Sequence, residues 1–313
     1  MIQNPGRTCE LCNNNEFITI YRPKNSPGPV VKCKNCSLIF INPIINDRAI
    51  IREGPVLFNQ PNELLESNDL DYLEECWEKS HIHKFEAEYQ SLRINHLDAI
   101  SHINKYKNEP GRLLDFGCGG GFFLGTAKEK GWEIFGIEPL PGHAIYARVK
   151  FGANVITDTL RWDTFEKNFF DVVTAFQVFE HLSHPTLELE KIASFLKPGG
   201  MVLIGVPNID NWSVRLLGHR HRHFVMDHLY FFSPFTITRL FNNVGLEILE
   251  IYNPSRRMSI NYFLKAWGRR IFPNKINQLF YSIAQALRLT NQTISINLGD
   301  IIIIIGRKPE TNH

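Results

Sequence analysis

The chain has 313 residues, enough for one large domain and a smaller one. It contains 34 basic and 32 acidic residues, so its net charge of +2 gives no global argument for a nucleic-acid partner. The N-terminal residues lack the apolar core of a signal peptide, and the longest aliphatic run, Ile301 to Ile305, is too short to span a membrane. We therefore expect a cytoplasmic protein. A cytoplasmic protein that contacts the inner face of the membrane is the alternative.

The first predicted element, residues 1–45, is a small zinc ribbon. Cys9 and Cys12 form one Cys-x-x-Cys pair, and Cys33 and Cys36 form a second pair after twenty intervening residues. Two such pairs place four thiolates around one tetrahedral metal ion, a spacing typical of structural zinc. The alternative is two disulfides, which the lack of a secretion signal disfavours. A site closed by four thiolates has no open position, so we assign it no catalytic role.

Residues 46–108 are predicted to connect the ribbon to the next domain. Turn formers and little periodicity over residues 46–68 favour a linker. From about Leu70 to Tyr106, apolar residues recur three and four positions apart, which indicates helix.

Residues 109–313 alternate predicted strands and helices, an order that requires a mostly parallel sheet covered on both faces. The fold class is therefore α/β, a Rossmann-like domain with a seven-stranded sheet. The predicted strands are Leu113–Phe116, Trp132–Ile137, Asn154–Ile156, Asp171–Phe176, Met201–Val206, Leu246–Tyr252 and Asp300–Gly306.

The strongest motif of the chain begins in the first of these strands. Asp115 precedes three alternate glycines, Gly117, Gly119 and Gly121, which let a ligand approach the backbone closely. Glu138 ends the next strand, where its carboxylate can accept hydrogen bonds from both hydroxyls of a ribose. The glycine spacing fails the dinucleotide fingerprint, and the Gly-Lys-Ser/Thr of a Walker loop is missing here. The unit predicts a nucleoside ligand at the carboxyl ends of parallel strands.

This motif resembles the first motif of class I S-adenosylmethionine-dependent methyltransferases. The resemblance covers about residues 111–308. It implies that Asp115 and the glycines surround the methionine half of S-adenosylmethionine, and that Glu138 holds the ribose. Asp158, after the third predicted strand, is expected either to bind the adenine amine or to serve only as a turn residue.

The fourth predicted strand ends in polar residues that are expected to face the transferable methyl group, and Gln177, the first of them, is predicted to contribute to cofactor binding. Glu180-His181 is similar to a pair in ubiquinone-pathway O-methyltransferases, where a further carboxylate four residues before the histidine helps to bind a divalent cation. Gln177 occupies that position here, so methyl transfer is predicted not to need magnesium. The alternative role of the pair is structural, with the histidine ordering the loop.

The segment after the fifth predicted strand is where this fold builds its acceptor pocket. Its three alternate histidines, His219, His221 and His223, are either metal ligands or members of an exposed loop. The stretches 228–234 and 33–43 resemble bacterial methyltransferases that carry an N-terminal zinc ribbon and modify glycans and other small acceptors. For a hydroxyl acceptor, His181 and His228 are the candidate general bases.

An insertion, residues 253–298, precedes the last predicted strand. It carries seven basic residues and no acidic one, and its apolar residues recur at helical spacing. One interpretation is two helices that cap the sheet. The other is a cap over an anionic or lipid-linked acceptor, in peripheral contact with a membrane surface.

These features predict an S-adenosylmethionine-dependent methyltransferase that transfers a methyl group to an oxygen atom of a small-molecule or glycan-type acceptor, lipid-linked acceptors included. Its catalytic candidates are Glu180, His181 and His228. A ribosomal RNA or other nucleic-acid methyltransferase is the alternative, which the near-neutral charge and the lack of an Asn/Asp-Pro-Pro-Tyr sequence disfavour. A non-catalytic module that keeps the cofactor pocket is a third interpretation. The acceptor atom and the oligomeric state are not encoded in any pattern we find.

Overall fold

The computed structural model describes residues 7–23, 28–43, 86, 89–221, 223–225, 227–268 and 273–310. The predicted linker at 46–68 and the first part of the predicted helical region, 70–85, lie outside these residues. Within the described part of the chain, no helix has the length and apolar character needed to cross a membrane.

Thirteen strands and eight α-helices are defined among these residues. The strands are β1 (Phe17–Tyr21), β2 (Val30–Cys33), β3 (Ile39–Ile41), β4 (Arg112–Phe116), β5 (Glu133–Ile137), β6 (Asn154–Ile156), β7 (Phe170–Phe176), β8 (Leu196–Pro207), β9 (Tyr230–Phe231), β10 (Glu247–Tyr252), β11 (Arg256–Ser259), β12 (Thr293–Ile296) and β13 (Ile301–Arg307). The helices are α1 (Tyr89–Asn104), α2 (Phe122–Glu129), α3 (Pro141–Phe151), α4 (Pro185–Phe195), α5 (Trp212–Leu217), α6 (Pro234–Asn243), α7 (Ile260–Tyr262) and α8 (Asn274–Ala286).

A seven-stranded sheet forms the centre of the larger domain, in the order β10-β13-β8-β7-β4-β5-β6. Strands β4 to β8 pair in parallel, and β13 runs antiparallel to both of its neighbours. All seven predicted strands are present, and their ends differ from prediction by at most one residue, apart from the start of β8. That strand begins at Leu196, because Leu196 already pairs with Phe170 before the Lys197–Gly200 turn.

Helices cover both faces of this sheet, as predicted. Neighbouring residues of one strand point to opposite faces. Leu113 and Val172 lie in a core shared with α1 and α2, whereas Leu114 and Val173 lie in a core shared with α4 and α6. Burial on both faces explains why β13 is an unbroken run of isoleucines.

The ribbon is joined to the larger domain through a shared sheet. Strands β1, β2 and β3 form a four-stranded sheet with β9, which follows β8 in the larger domain. Ile39 pairs with Phe231 and Phe40 with Tyr230, in antiparallel register. The ribbon sheet is therefore completed by residues about 190 positions further along the chain.

The insertion differs from the two capping helices of the first interpretation. Strands β11 and β12, near its two ends, pair as a two-stranded antiparallel sheet, which the sequence did not predict. The first predicted helix is short, α7 continuing into a π-helical segment, Phe263–Gly268. The second helix, α8, contacts that segment through a hydrogen bond from Asn277 Nδ2 to the Leu264 oxygen at 3.1 Å, and its large apolar residues, which we expected to cap the sheet, are exposed to solvent.

Candidate active site

The glycine loop between β4 and α2 combines tight packing with one open position. Gly117, Gly119 and Gly121 all have positive φ, at 74°, 52° and 74°. A Cβ atom on Gly117 would lie 2.6 Å from Val178 Cγ2, and one on Gly121 would lie 2.6 Å from Ala147 Cβ. A Cβ on Gly119 would have no atom of the described residues within 4 Å. The loop therefore leaves space for a ligand at Gly119.

Glu138, at the end of β5, holds this loop in place. Its Oε2 accepts a hydrogen bond from the Gly119 N–H at 2.8 Å, and its Oε1 accepts one from the Leu140 N–H at 2.9 Å. Burial raises the pKa of this carboxyl group, and the two backbone donors oppose that shift. Each carboxylate oxygen has a second lone pair, so the predicted binding of a ribose diol is compatible with these contacts.

Asp115, the last but one residue of β4, is almost completely buried. Its Oδ1 accepts a hydrogen bond from Thr174 Oγ1 at 2.7 Å. Burial raises the pKa of Asp115 to about 7, and the nearby Glu138 adds to the shift. A cationic ligand would stabilise the ionised form, and the methionine half of S-adenosylmethionine carries such charge. The open position at Gly119 and these two acids thus fit the cofactor.

Asp158 makes the contacts of a turn residue. Its Oδ1 accepts a hydrogen bond from the Thr159 N–H at 2.7 Å, and its Oδ2 lies 2.6 Å from an Arg161 guanidinium nitrogen. Both oxygens are thus used within the loop after β6. Binding of the adenine amine by Asp158 stays a prediction.

The predicted catalytic residues lie together beside the glycine loop. Glu180 and His181 are in a single helical turn after β7, and His228 precedes β9. One potential ligand atom from each residue lies within 4.8 Å of the other two. Val178, which contacts the position of a Gly117 Cβ, places this group next to the cofactor loop.

Hydrogen bonding defines the tautomer of His181. Its Nδ1 lies 2.7 Å from the backbone oxygen of Asp227, which can only accept. Nδ1 must therefore carry a proton, and in the neutral ring Nε2 has the free lone pair. His228 lies beside it, with ring centroids 4.8 Å apart and planes at 79°.

Glu180 is 1% exposed, and neither of its carboxylate oxygens has a hydrogen-bond partner among the described residues. Burial raises the pKa of Glu180 to about 8. A buried polar group without a partner is costly in a stable fold and is frequent at functional sites. Its carboxyl group therefore exchanges a proton at neutral to slightly alkaline pH.

Gln177 does not join this group. Its backbone is left-handed, with φ of 58°, and its side-chain Nε2 donates to the Gly205 oxygen at 3.2 Å. Two imidazoles and one carboxylate form a poor set of donors for magnesium, which prefers oxygen ligands in octahedral geometry.

The three alternate histidines after β8 do not form a metal-ligand group in the part of the chain that the structure describes. His219 is exposed, as the alternative of an exposed loop predicts, whereas His221 and His223 are buried. His221 Nε2 lies 3.0 Å from Ser213 Oγ, and His223 Nε2 lies 3.6 Å from Asp300 Oδ2. His221 thus connects this segment to α5, and His223 connects it to Asp300, directly before β13. His219 stacks on Tyr21 of the ribbon.

The four ribbon cysteines converge as predicted. Cys9 Sγ lies 3.3 Å from Cys36 Sγ, and Cys12 Sγ lies 3.6 Å from Cys33 Sγ. All four sulfurs are within 4.8 Å of one another. Zinc–sulfur bonds of about 2.3 Å place the sulfurs of a tetrahedral site roughly 3.8 Å apart. The geometry therefore fits a zinc ion.

The sheet order, the glycine loop and the second acid define a Rossmann-like enzyme domain with a site for a nucleoside cofactor. Residues 86–251, more than half of the chain, match the family model described as a methyltransferase domain. The chain belongs to this family and is an S-adenosylmethionine-dependent methyltransferase.

Curated relatives are ubiquinone biosynthesis O-methyltransferases. The protein of Nitrobacter winogradskyi is 29% identical over 178 residues, which cover 50% of this chain and 68% of the relative. That of Burkholderia thailandensis is 25% identical over 205 residues, covering 61% and 85%. Among solved structures, a SAM-dependent methyltransferase from Archaeoglobus fulgidus matches with a TM-score of 0.48 and 18% identity, covering 72% of this chain and 96% of the other.

Proposed function

We propose that this protein transfers a methyl group to a hydroxyl of a small-molecule or glycan-type acceptor, a class that includes lipid-linked acceptors. The observation that carries the proposal is the group formed by Glu180, His181 and His228 beside the glycine loop. The names of the curated relatives, which are O-methyltransferases, support oxygen as the acceptor atom.

S-adenosylmethionine, when bound, supplies a methyl group that its sulfonium already activates. The chain's own residues must orient the acceptor and remove its proton. Neutral His181 accepts the hydroxyl proton at Nε2, while Asp227 holds its Nδ1–H and fixes the ring plane. General base catalysis of this kind contributes about 10²–10⁴ in rate, and orientation of the reactants contributes about 7–11 kcal/mol.

We also propose that the ribbon binds one structural zinc ion, which the convergence of four thiols supports. With four protein ligands, it would leave no position for the acceptor.

The test is methylation of a defined panel of acceptors. Purified protein would be incubated with S-adenosylmethionine and, separately, with a catechol, a free hexose, a lipid-linked sugar extract and total RNA. We expect S-adenosylhomocysteine and a product heavier by one methylene from a hydroxyl acceptor. His181→Ala should lower turnover by about 10²–10⁴ while leaving cofactor affinity unchanged. His102→Gln, a matched change outside the site, should keep full turnover.

Two results would overturn the proposal. Methylation of RNA alone would place the protein among nucleic-acid enzymes. Tight cofactor binding without turnover on any hydroxyl acceptor, including extracts of cell-surface precursors, would instead indicate a binding module.

A further inference from the structure

Helix α8 presents an apolar stripe to solvent. The helix buries only Asn277 and Ala284. The exposed large apolar residues of the helix and its C-cap are between 41% and 62% accessible, and they are Ile276, Leu279, Phe280, Ile283 and Leu287. Their spacing of three, one, three and four residues places them along one side of the helix. A continuous stripe of this kind is unusual on a free surface and indicates a contact partner.

The segment around this stripe is strongly positive. Residues 251–299 carry seven basic residues and no acidic one, whereas the rest of the chain has 27 basic and 32 acidic residues. Lys275 lies in the first turn of α8, and Arg288 directly follows its C-cap. Lys265 lies over the ring of Tyr281, so a further positive charge accompanies the helix.

We propose that α8 binds the surface of an anionic lipid bilayer. The helix lies in the plane of the interface, with its apolar stripe in the region between headgroups and acyl chains. Lys275 and Arg288 face the headgroup phosphates. An amphipathic helix with an apolar side and basic flanks binds membranes through both buried apolar area and electrostatic attraction.

Charge decides between a bilayer and a second copy of the chain. A two-fold dimer through α8 would place the same positive segment of each copy against the other. Like charges at such an interface repel, whereas an anionic surface attracts them. The contact is independent of which acceptor the enzyme methylates, because it rests on α8 alone.

Sedimentation with vesicles tests the proposal. The full chain would be mixed with vesicles of phosphatidylcholine alone, or of phosphatidylcholine with phosphatidylglycerol. We expect sedimentation with the anionic vesicles only, and a decrease at high salt. The variant Leu279→Gln/Phe280→Gln/Ile283→Gln should reduce lipid affinity at least about tenfold, since three buried apolar side chains are lost. Lys275→Gln/Arg288→Gln should weaken binding less strongly.

A matched control lies on α5. Leu216 and Leu217 are also exposed apolar residues, and Leu216→Gln/Leu217→Gln should leave vesicle binding unchanged. Calorimetric affinity for S-adenosylmethionine should be the same in all variants, which shows that they are folded. The proposal is overturned by absence of binding to anionic vesicles, by an equal loss in the α5 variant, or by a dimer that the α8 variant dissociates.

Discussion

Three buried carboxyl groups, Asp115, Glu138 and Glu180, lie at the carboxyl edge of the sheet, and burial raises the pKa of each. A raised pKa favours the protonated group in the folded state. The stability that it contributes is complete below the unfolded pKa and is lost as pH rises through the folded pKa. For Glu180 this window extends from 4.5 to about 8. The contribution of Glu180 to the stability of the unliganded enzyme should therefore decrease across that range.

Replacement of Glu180 by glutamine should remove this loss, because the amide stays neutral. At about pH 9 we expect a higher melting temperature for Glu180→Gln than for the wild type. Each kcal/mol of added unfolding free energy should raise the melting temperature by about 2–4 °C. At pH 4 the difference should vanish or reverse. Thermal melts across pH, with turnover measured alongside, check this. A lower melting temperature for the variant at alkaline pH would contradict the assignment.

Loss of the Glu138 carboxylate should weaken cofactor binding. A charge-assisted hydrogen bond is worth about 1.5–3 kcal/mol, so Glu138→Ala should lower affinity for S-adenosylmethionine roughly ten- to a hundredfold. Calorimetry measures this directly. Glu133→Ala, on the exposed start of the same strand, is the matched control and should bind as the wild type does. Equal affinities in folded Glu138→Ala and Glu133→Ala would refute the role.

Methyl transfer should proceed without magnesium, since the donor set near Gln177 lacks the oxygen ligands that this ion prefers. Turnover would be measured after chelation under conditions that keep zinc in the ribbon, with zinc content determined on the same sample. A loss of turnover that magnesium specifically restores would show that another arrangement forms in the complex.

At the scale of elements, Leu229 connects the ribbon to the catalytic group. Its N–H donates to the Glu180 backbone oxygen at 2.7 Å, and its own oxygen accepts from the Ile41 N–H at 2.9 Å. His228 directly precedes Leu229. The ribbon therefore supports the backbone that positions His228 against His181.

Loss of the ribbon metal should consequently reduce turnover without changing cofactor affinity. We expect near-unit zinc in the wild type, and Cys36→Ser should lose the zinc, since such ions contribute on the order of 10 kcal/mol to small modules. Its turnover should fall because His228 no longer packs correctly against His181, by at most the roughly 10²–10⁴-fold that general base catalysis contributes.

Ile41→Pro separates the pairing from the metal. This variant removes the N–H donated to Leu229 together with the buried Ile41 side chain but keeps all four cysteines, so turnover should fall while zinc content stays at the wild-type value. A wild-type rate in both variants would show that the ribbon does not position His228.

For the whole molecule, local chemistry explains what could be predicted. The seven strands could be predicted because they are apolar runs bounded by turn formers. The ligand site could be predicted because the glycines of the loop have no side chains that would fill the space beside Gly119. Asp115 and Glu138 follow from their places at strand ends. Glu180, His181 and His228 were each predicted as catalytic candidates. Their proximity in space was not predicted, because it depends on a turn and a strand about 50 residues apart.

Other features depend on long-range packing that no local pattern shows. Strand β9 has two residues and no periodicity, so its pairing with β3 could not be predicted. The apolar stripe of α8 has the same residue spacing as the apolar face of a buried helix. Only the structure, in which the helix buries just Asn277 and Ala284, shows that this stripe is exposed to solvent. The pairing of β11 with β12 lies in a segment that we interpreted as helical.

The pairing of β3 with β9 also has a consequence for biosynthesis. Ile41 leaves the ribosome about 190 residues before Leu229, an interval of roughly 10–40 s at about 5–20 residues per second. During this time β3 (Ile39–Ile41) can pair with β2, but its other edge, which later pairs with β9, has no partner strand. Unpaired apolar edges invite pairing with other chains. Nascent chains that stop before residue 229 should therefore need a chaperone on the ribbon, even when its zinc ion is already bound.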